Sequence, residues 1–349
     1  MTRKDSALAI GGLIIGASIV ARRIRSLRAI DLVDRIVLIT GGSRGLGLLM
    51  AREVGRLGAH VVIAARDEAE LLRAQRDLMA QDVAASILVA DVATEQQAQR
   101  MIGQVIERHG RLDVLINNAG VIMVGPIDHM SVADFEEAMA THFWGPLHAM
   151  LAAIPHMRES GGGRIVNISS IGGKIGVPHL APYCASKFAL TGVSTSLRSE
   201  LARYDIAVTT VCPGLMRTGS PFNAWFKGRH RAEFAWFAIA DSLPLLSIDG
   251  RRAAAHVVDA MRHGDAELVI SWPARLAIAA EAVAPNTLAA AMTLVNRILP
   301  APTGTLGNES HSGWHSGSRW APSPLTRLTE RSAIENNELP EPLSEAPNR

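Results

Sequence analysis

Residues 36–47 read Ile36-Val-Leu-Ile-Thr40-Gly41-Gly42-Ser43-Arg44-Gly45-Leu46-Gly47. A short β-branched, apolar run passes into a glycine-rich turn, and the turn opens directly into a second apolar run with helical spacing. Such a turn lets the backbone approach a pyrophosphate, while the helix N-terminus offers unpaired N–H groups and a partial positive charge. Gly41, Gly45 and Gly47 have the required placement. A tight strand-to-helix turn without a ligand is the plainer alternative. The strand, helix and downstream chemistry that accompany this turn weigh against it.

Outward from this turn the pattern repeats. Short β-rich runs stand at 36–40, 60–64, 87–90, 114–117, 164–168, 208–211 and 268–270, and helical patterns at 46–57, 68–80, 95–108, 132–157 and 182–203. Strand, helix, strand in succession predicts a parallel sheet with right-handed crossovers. The expected class is therefore α/β, a Rossmann-like doubly wound parallel sheet of about seven strands with helices on both faces. Its apolar content of 48% and charged content of 19% suit a sheet covered on both sides. The expected division is an N-terminal hydrophobic and basic segment over 1–30 and a catalytic domain over 31–272. Apolar helices over 273–300 and a poorly ordered tail over 301–349 complete it.

The net charge of +2 hides an asymmetry, since residues 1–30 hold six basic side chains against Asp5 and leave the rest mildly acidic. A mildly acidic body has no electrostatic footprint for nucleic acid. Residues 7–21 form an uncharged, mostly apolar run whose 15 residues would span about 23 Å as a helix, short of a hydrocarbon core of about 30 Å. A short anchor, an interfacial helix, a signal peptide and a packed N-terminal helix all compete. Membrane attachment is the expectation, and the basic cluster after the run would hold the body on the cytoplasmic face. Without attachment the protein would be cytoplasmic. Cys184 and Cys212 lie in apolar segments and read as buried free thiols. His311 and His315, four apart, are too thin for a metal site, and none is expected.

Proton chemistry is written further along. Tyr183 and Lys187 lie one helical turn apart, 13 residues beyond Ser170. An unperturbed phenol, with a pKa near 10, is a poor proton acceptor at neutral pH, and an ammonium on the same helix face would lower that pKa. Tyr183 is thus the expected acid/base, Lys187 its electrostatic tuner and ribose contact, and Ser170 the donor that orients a substrate oxygen. At the end of the second strand the chain reads Ala64-Ala65-Arg66-Asp67. Arg66 with Arg44 could clamp a 2′-phosphate, while Asp67 is placed to cap the following helix. NADP(H) is favoured on these residues, with NAD(H) the alternative.

These residues resemble the short-chain dehydrogenase/reductase family over about residues 34–272. Four motifs stand in order: Thr40 to Gly47, Asn117-Asn118-Ala119-Gly120, Ser170 with Tyr183-x-x-x-Lys187, and Pro213-Gly214 followed by Thr218. The resemblance implies carbonyl–alcohol interconversion with a nicotinamide cofactor. It implies that Asp91 contacts the adenine region, that Asn118 stabilises the sheet beside the cofactor, and that Thr218 reaches the carboxamide. Ser43, Leu46, Val92, Ala119, Gly120, Pro213 and Gly214 complete the implied cofactor contacts. The family's usual asparagine, three residues before a glycine in the helix after the fourth strand, is replaced here by His142. An imidazole there could pass protons or simply pack.

Residues 215–250 hold six of the chain's 15 aromatic residues, and the resemblance implies that this segment covers the substrate. That richness suggests a small apolar ligand such as a lipid, steroid-like or aromatic ketone or alcohol, and a lid that only packs on the core or on a dimer partner is the alternative. The resemblance also implies a homodimer or homotetramer. An NAD-dependent alcohol dehydrogenase is the nearest competing enzyme reading. A non-catalytic, membrane-attached nucleotide-binding scaffold is the competing reading of another class, and the intact Ser-Tyr-Lys set speaks against it.

Overall fold

The computed structural model describes Arg23 and residues 25–338. Seven parallel strands, β1 (Ile36–Thr40), β2 (His60–Ala65), β3 (Ala85–Val89), β4 (Val114–Asn117), β5 (Gly163–Ile168), β6 (Ile206–Pro213) and β7 (Glu267–Ile270), form one sheet. Its order is β3-β2-β1-β4-β5-β6-β7. β1 pairs with β2 on one side and β4 on the other, so the strand order reverses at β1. A crevice opens beyond the strand ends at such a reversal.

The periodicity of β1 shows why this sequence makes a central strand. All five of its residues are buried, and they divide by alternation. Val37 and Ile39 enter a core with helices α1 (Gly45–Arg56), α2 (Glu68–Met79) and α8 (Gly250–His263). Ile36 and Leu38 enter the opposite core with α3 (Glu95–His109), α5 (Gly145–Glu159) and α6 (Ala181–Leu201). A strand buried on both faces must be apolar at every position. Asp67 caps α2 by accepting the Glu70 N–H at 2.9 Å, the role its position suggested.

The helical pattern expected over 132–157 is interrupted. It divides into α4 (Val132–Met139), a π-helical turn at Ala140–Trp144, and α5. The extra residue of that turn swings His142 inward, where it is 1% exposed.

After β6 a third core forms, distinct from the two that flank the sheet. Phe222, Phe226, Phe234 and Phe237 pack there with Leu180, Cys184, Ala321 and Ala333. Helix α7 (His230–Ser242) supplies much of it, and the pair Trp225–Phe226 accepts the short strand His311–Ser312 antiparallel. The poorly ordered tail expected over 301–349 is therefore corrected through Glu338. Residues 311–312 pair with the lid and Arg327–Glu335 forms helix α11. Thr329 and Ala333 are fully buried there. This segment is polar and lacks periodicity, because its order comes from a few small side chains docked on the lid rather than from a continuous apolar face.

Beyond β7, α9 (Trp272–Val283) and α10 (Pro285–Ile298) form a helical hairpin. Among the described residues no helix is long and apolar enough to cross a membrane. The apolar run 7–21 lies outside the described residues.

Candidate active site

A cleft of about 550 Å³ lies at the strand ends around the reversal. The glycine turn lines one end of it. Gly41 has φ +64°, and a Cβ there would stand 2.8 Å from Ala119 Cα, while a Cβ on Gly47 would run into Gly41 O. The turn can pack this closely on α1 and on the loop after β4 only without side chains. Asn118 locks the arrangement: its Nδ2 donates to Thr40 O at 3.1 Å and Gly41 O at 3.0 Å. Its N–H and that of Ala119 both donate to Thr40 Oγ1, at 3.0 and 3.1 Å. A bare glycine cradle at a helix N-terminus fits the pyrophosphate of a dinucleotide.

Of the cofactor contacts expected from sequence, Gly41, Ser43, Arg44, Gly45, Leu46, Arg66, Asp91, Val92, Asn118, Ala119, Gly120, Pro213, Gly214 and Thr218 line this cleft. Gly47 sits behind the turn and shapes it through packing. Asp91 accepts the Ala93 N–H at 3.0 Å, which orders the loop after β3. The guanidinium pair expected to clamp a 2′-phosphate is not symmetric. Arg44 is tied to Glu70 at 2.5 Å, and Glu70 also accepts the Ser43 hydroxyl at 2.8 Å. Arg66 is exposed on the cleft rim.

At the same end of the sheet the cleft brings Ser170, Tyr183, Lys187 and His142 together. Ser170 follows β5, and its hydroxyl accepts the Gly172 N–H at 3.0 Å. Tyr183 and Lys187 stand on the first turns of α6, with Lys187 Nζ 5.7 Å from the phenol ring centre and donating to Ile168 O at 2.8 Å. Burial pushes the Tyr183 phenol up to about 12, against the opposing pull of the Ser170 hydroxyl. Burial likewise pushes the Lys187 ammonium down to about 7. In the protein alone burial thus moves the phenol above its ordinary value, opposite to the lowering expected from an ammonium neighbour.

His142 meets Tyr183 edge to face, ring centres 5.3 Å apart. The Val121 N–H donates to its Nε2 at 3.1 Å, so Nδ1 carries the proton and donates to Ser186 Oγ at 2.8 Å. Ser186 Oγ in turn donates to Tyr183 O at 2.8 Å. Burial, with Lys187 nearby, holds the imidazole well below its ordinary pKa. Both ring nitrogens are committed, which leaves none for a water or for Lys187.

Several cleft residues carried no signal in the sequence. Glu70, Asn223 and Glu338 are polar residues in otherwise ordinary contexts, and Trp314 belongs to the segment read as a tail. Of the six lid aromatics, only Phe222 and Trp225 line the cleft. Phe226, Phe234 and Phe237 are core residues of the lid itself.

The short chain dehydrogenase family model matches residues 35–224. A dehydrogenase/reductase SDR family protein 7-like of Anopheles gambiae is 33% identical over 222 residues, covering 62% of this chain and 69% of that protein. A 3-ketodihydrosphingosine reductase of Bacteroides thetaiotaomicron is 36% identical over 185 residues, covering 53% of this chain and 65% of that protein. Among solved structures, a variant of actinorhodin polyketide ketoreductase with NADPH superposes with a TM-score of 0.61 at 30% identity. That match covers 68% of this chain and 95% of that one. With the seven-stranded sheet, the glycine turn and the Ser-Tyr-Lys wall in place, the chain belongs to the short-chain dehydrogenase family and is an NAD(P)-dependent oxidoreductase acting between carbonyl and alcohol.

Proposed function

We propose that the protein is an NADP(H)-dependent reductase of an apolar carbonyl compound, with Tyr183 as its acid/base. The observation that carries this reading is the convergence of Ser170, Tyr183 and Lys187 on the cleft that the glycine turn opens. Bound there, a nicotinamide would supply the hydride. The chain's own residues do the rest. The Ser170 hydroxyl orients the substrate oxygen, and the Tyr183 phenol, neutral at physiological pH, is charged with the proton that the nascent alkoxide needs. Lys187, poised near neutrality, can replenish the phenol's proton. Ile122, Phe222, Trp225 and Trp314 give the open end of the cleft an apolar lining, which supports a hydrophobic substrate.

Preference for the 2′-phosphate rests on Arg66, since Arg44 is already paired with Glu70. The same pairing supports a second reading. Glu70 places a carboxylate in this cleft, and a carboxylate at the ribose end favours an unphosphorylated 2′-hydroxyl and hence NAD(H). Steady-state kinetics of wild type and Arg66→Ala on a panel of aromatic, steroid-like and long-chain ketones separate the two. The expected outcome is a KM for NADPH raised by roughly tenfold or more, with NADH little affected. Equal effects on both cofactors would favour NAD(H). Attachment to a membrane through residues 7–21, and a homodimer or homotetramer, belong to the same proposal. Vesicle flotation and light scattering of the full chain test them.

A further inference from the structure

The segment that composition marked as a tail enters the dinucleotide cradle at residues 336–338. Gly45 is the first residue of α1, and its N–H, one of those an incoming pyrophosphate would need, donates instead to Asn336 O at 2.9 Å. Asn337 Nδ2 donates to Ser43 O at 2.8 Å and to Glu70 O at 3.2 Å. The Glu338 carboxylate, on a residue 5% exposed, lies against the open face of Gly45, so that a Cβ there would strike its Oε1. It accepts from Asn223 Nδ2 at 2.5 Å and stands 3.5 Å from Arg44 Nε. A buried carboxyl group thus sits at the N-terminus of α1, beside the guanidinium of the glycine turn.

The segment is fastened from behind as well. Arg52, on the α1 face away from the cleft, donates to Glu335 O at 2.9 Å and to Asn336 Oδ1 at 3.1 Å. Thr329 accepts from the Ser242 hydroxyl at 2.7 Å, and Ala333 packs on Gly219, where a Cβ would stand 2.6 Å from Ala333 Cα. Residues 327–338 therefore bridge the glycine turn and the substrate lid.

We propose that residues 336–338 are a built-in competitor for the dinucleotide. Asn336 and Glu338 hold the N-terminus of α1 that the pyrophosphate requires, and the cofactor binds only as this strap lifts away. The inference rests on the dinucleotide reading of the cleft and adds that the resting protein is partly self-blocked. A strap closed for most of the time lowers the apparent affinity by the fraction of molecules in which it is open. Because Asn223 and Ser242 belong to the lid region, lifting the strap also frees that wall.

The test uses the full chain and direct binding rather than turnover. NADPH and NADH titrations, followed by nicotinamide fluorescence, are made on wild type, Glu338→Ala and Arg52→Ala. The last variant loosens the strap from behind without entering the cleft. Both variants should bind dinucleotide roughly tenfold more tightly than wild type. NADPH should also reduce hydrogen-exchange protection at 333–338 in the wild type. Unchanged or weaker binding in both variants overturns the strap, because the segment would then be neutral or a part of the cofactor's own site. Increased protection at 333–338 on binding overturns it for the same reason. Absence of binding by either dinucleotide to all three proteins would instead bring down the reading of the cleft itself.

Discussion

The two walls of the cleft are built on different physical grounds. The first is the edge of the sheet, where each residue's burial follows from alternation within its own strand, as Val37 and Ile39 go one way and Ile36 and Leu38 the other. The second is the cover formed after Pro213, whose core joins Phe222 and Phe234 to Leu180 before the catalytic helix and to Ala333 far down the chain. One wall is held by local periodicity and parallel pairing, the other by contacts between distant segments. Chemistry sits on the first wall, and access is set by the second.

If this division holds, damage to the first wall should remove chemistry without touching binding. Tyr183→Phe keeps the ring against His142 and removes only the hydroxyl. We expect kcat to fall by about 10²–10⁴, the range typical of a lost general acid, with dinucleotide affinity unchanged. Rapid-mixing measurement of the hydride step in wild type and variant checks it, and retained turnover would deny the phenol its role. Damage to the second wall should do the converse. Phe234 is 1% exposed and meets Phe222 and Phe226 edge to face at 5.7 and 5.6 Å. Phe234→Ala should cost about 3–5 kcal/mol locally. Denaturant unfolding followed by tryptophan emission, to which Trp225, Trp236 and Trp314 of the cover contribute among six tryptophans, should then separate from the far-ultraviolet transition of the sheet. Coincident transitions would mean that the cover and the sheet form one cooperative unit.

The same division decides what could be read from the chain. The expected strand at 36–40 coincides with Ile36–Thr40, and that at 114–117 with Val114–Asn117, because parallel strands buried on both faces are apolar throughout. Ser170, Tyr183 and Lys187 were visible because their chemistry demands fixed residue types at fixed spacing on one helix and the preceding loop. The order of residues 305–338 was not visible, because Thr329 and Ala333 are small and ordinary and are buried by distant parts of the lid, Ser242 and Gly219 among them. Nor does a lone Glu338 announce that it will reach a turn almost 300 residues earlier. The π turn was hidden for a related reason: Ala140 to Trp144 has no helix breaker to mark it.

A pH titration sharpens the contrast at the point where the two walls touch. Burial pushes Glu338 up to about 7, against the pull of Arg44 and the Asn223 amide, with Glu70 adding like charge. A carboxyl whose docked pKa exceeds its free value near 4.5 favours docking fully below that lower value, and the advantage is lost as pH rises through 7. The strap should therefore open progressively between about pH 4.5 and 7, over a range on the order of a hundredfold in its docking equilibrium. Hydrogen-exchange protection factors for 333–338, taken from pH 5 to 8 in wild type and Glu338→Gln, give the comparison. A flat profile in the wild type would show that the carboxyl stays ionised when docked.

The smallest expected effect lies on the first wall, at the position where this chain departs from its family. An imidazole in place of an amide invites the idea of a proton path, yet its surroundings argue for a strut. Nε2 takes the Val121 N–H, Nδ1–H goes to Ser186 and Ser186 closes the chain on Tyr183 O, so the ring ties the loop after β4 to the catalytic helix. Held well below its ordinary pKa, it does not ionise in the range where Lys187 does. His142→Asn offers a shorter amide that can serve one of the two partners, so a loss of about 1–2 kcal/mol in stability is expected from the stranded one. The pH–rate profile should keep its inflections, set by Lys187 and Tyr183, while kcat shifts by a few-fold at most. An inflection that moves with this substitution would mean that the ring nitrogens exchange protons with the cleft, and the closed chain from Val121 to Tyr183 would have to open during turnover.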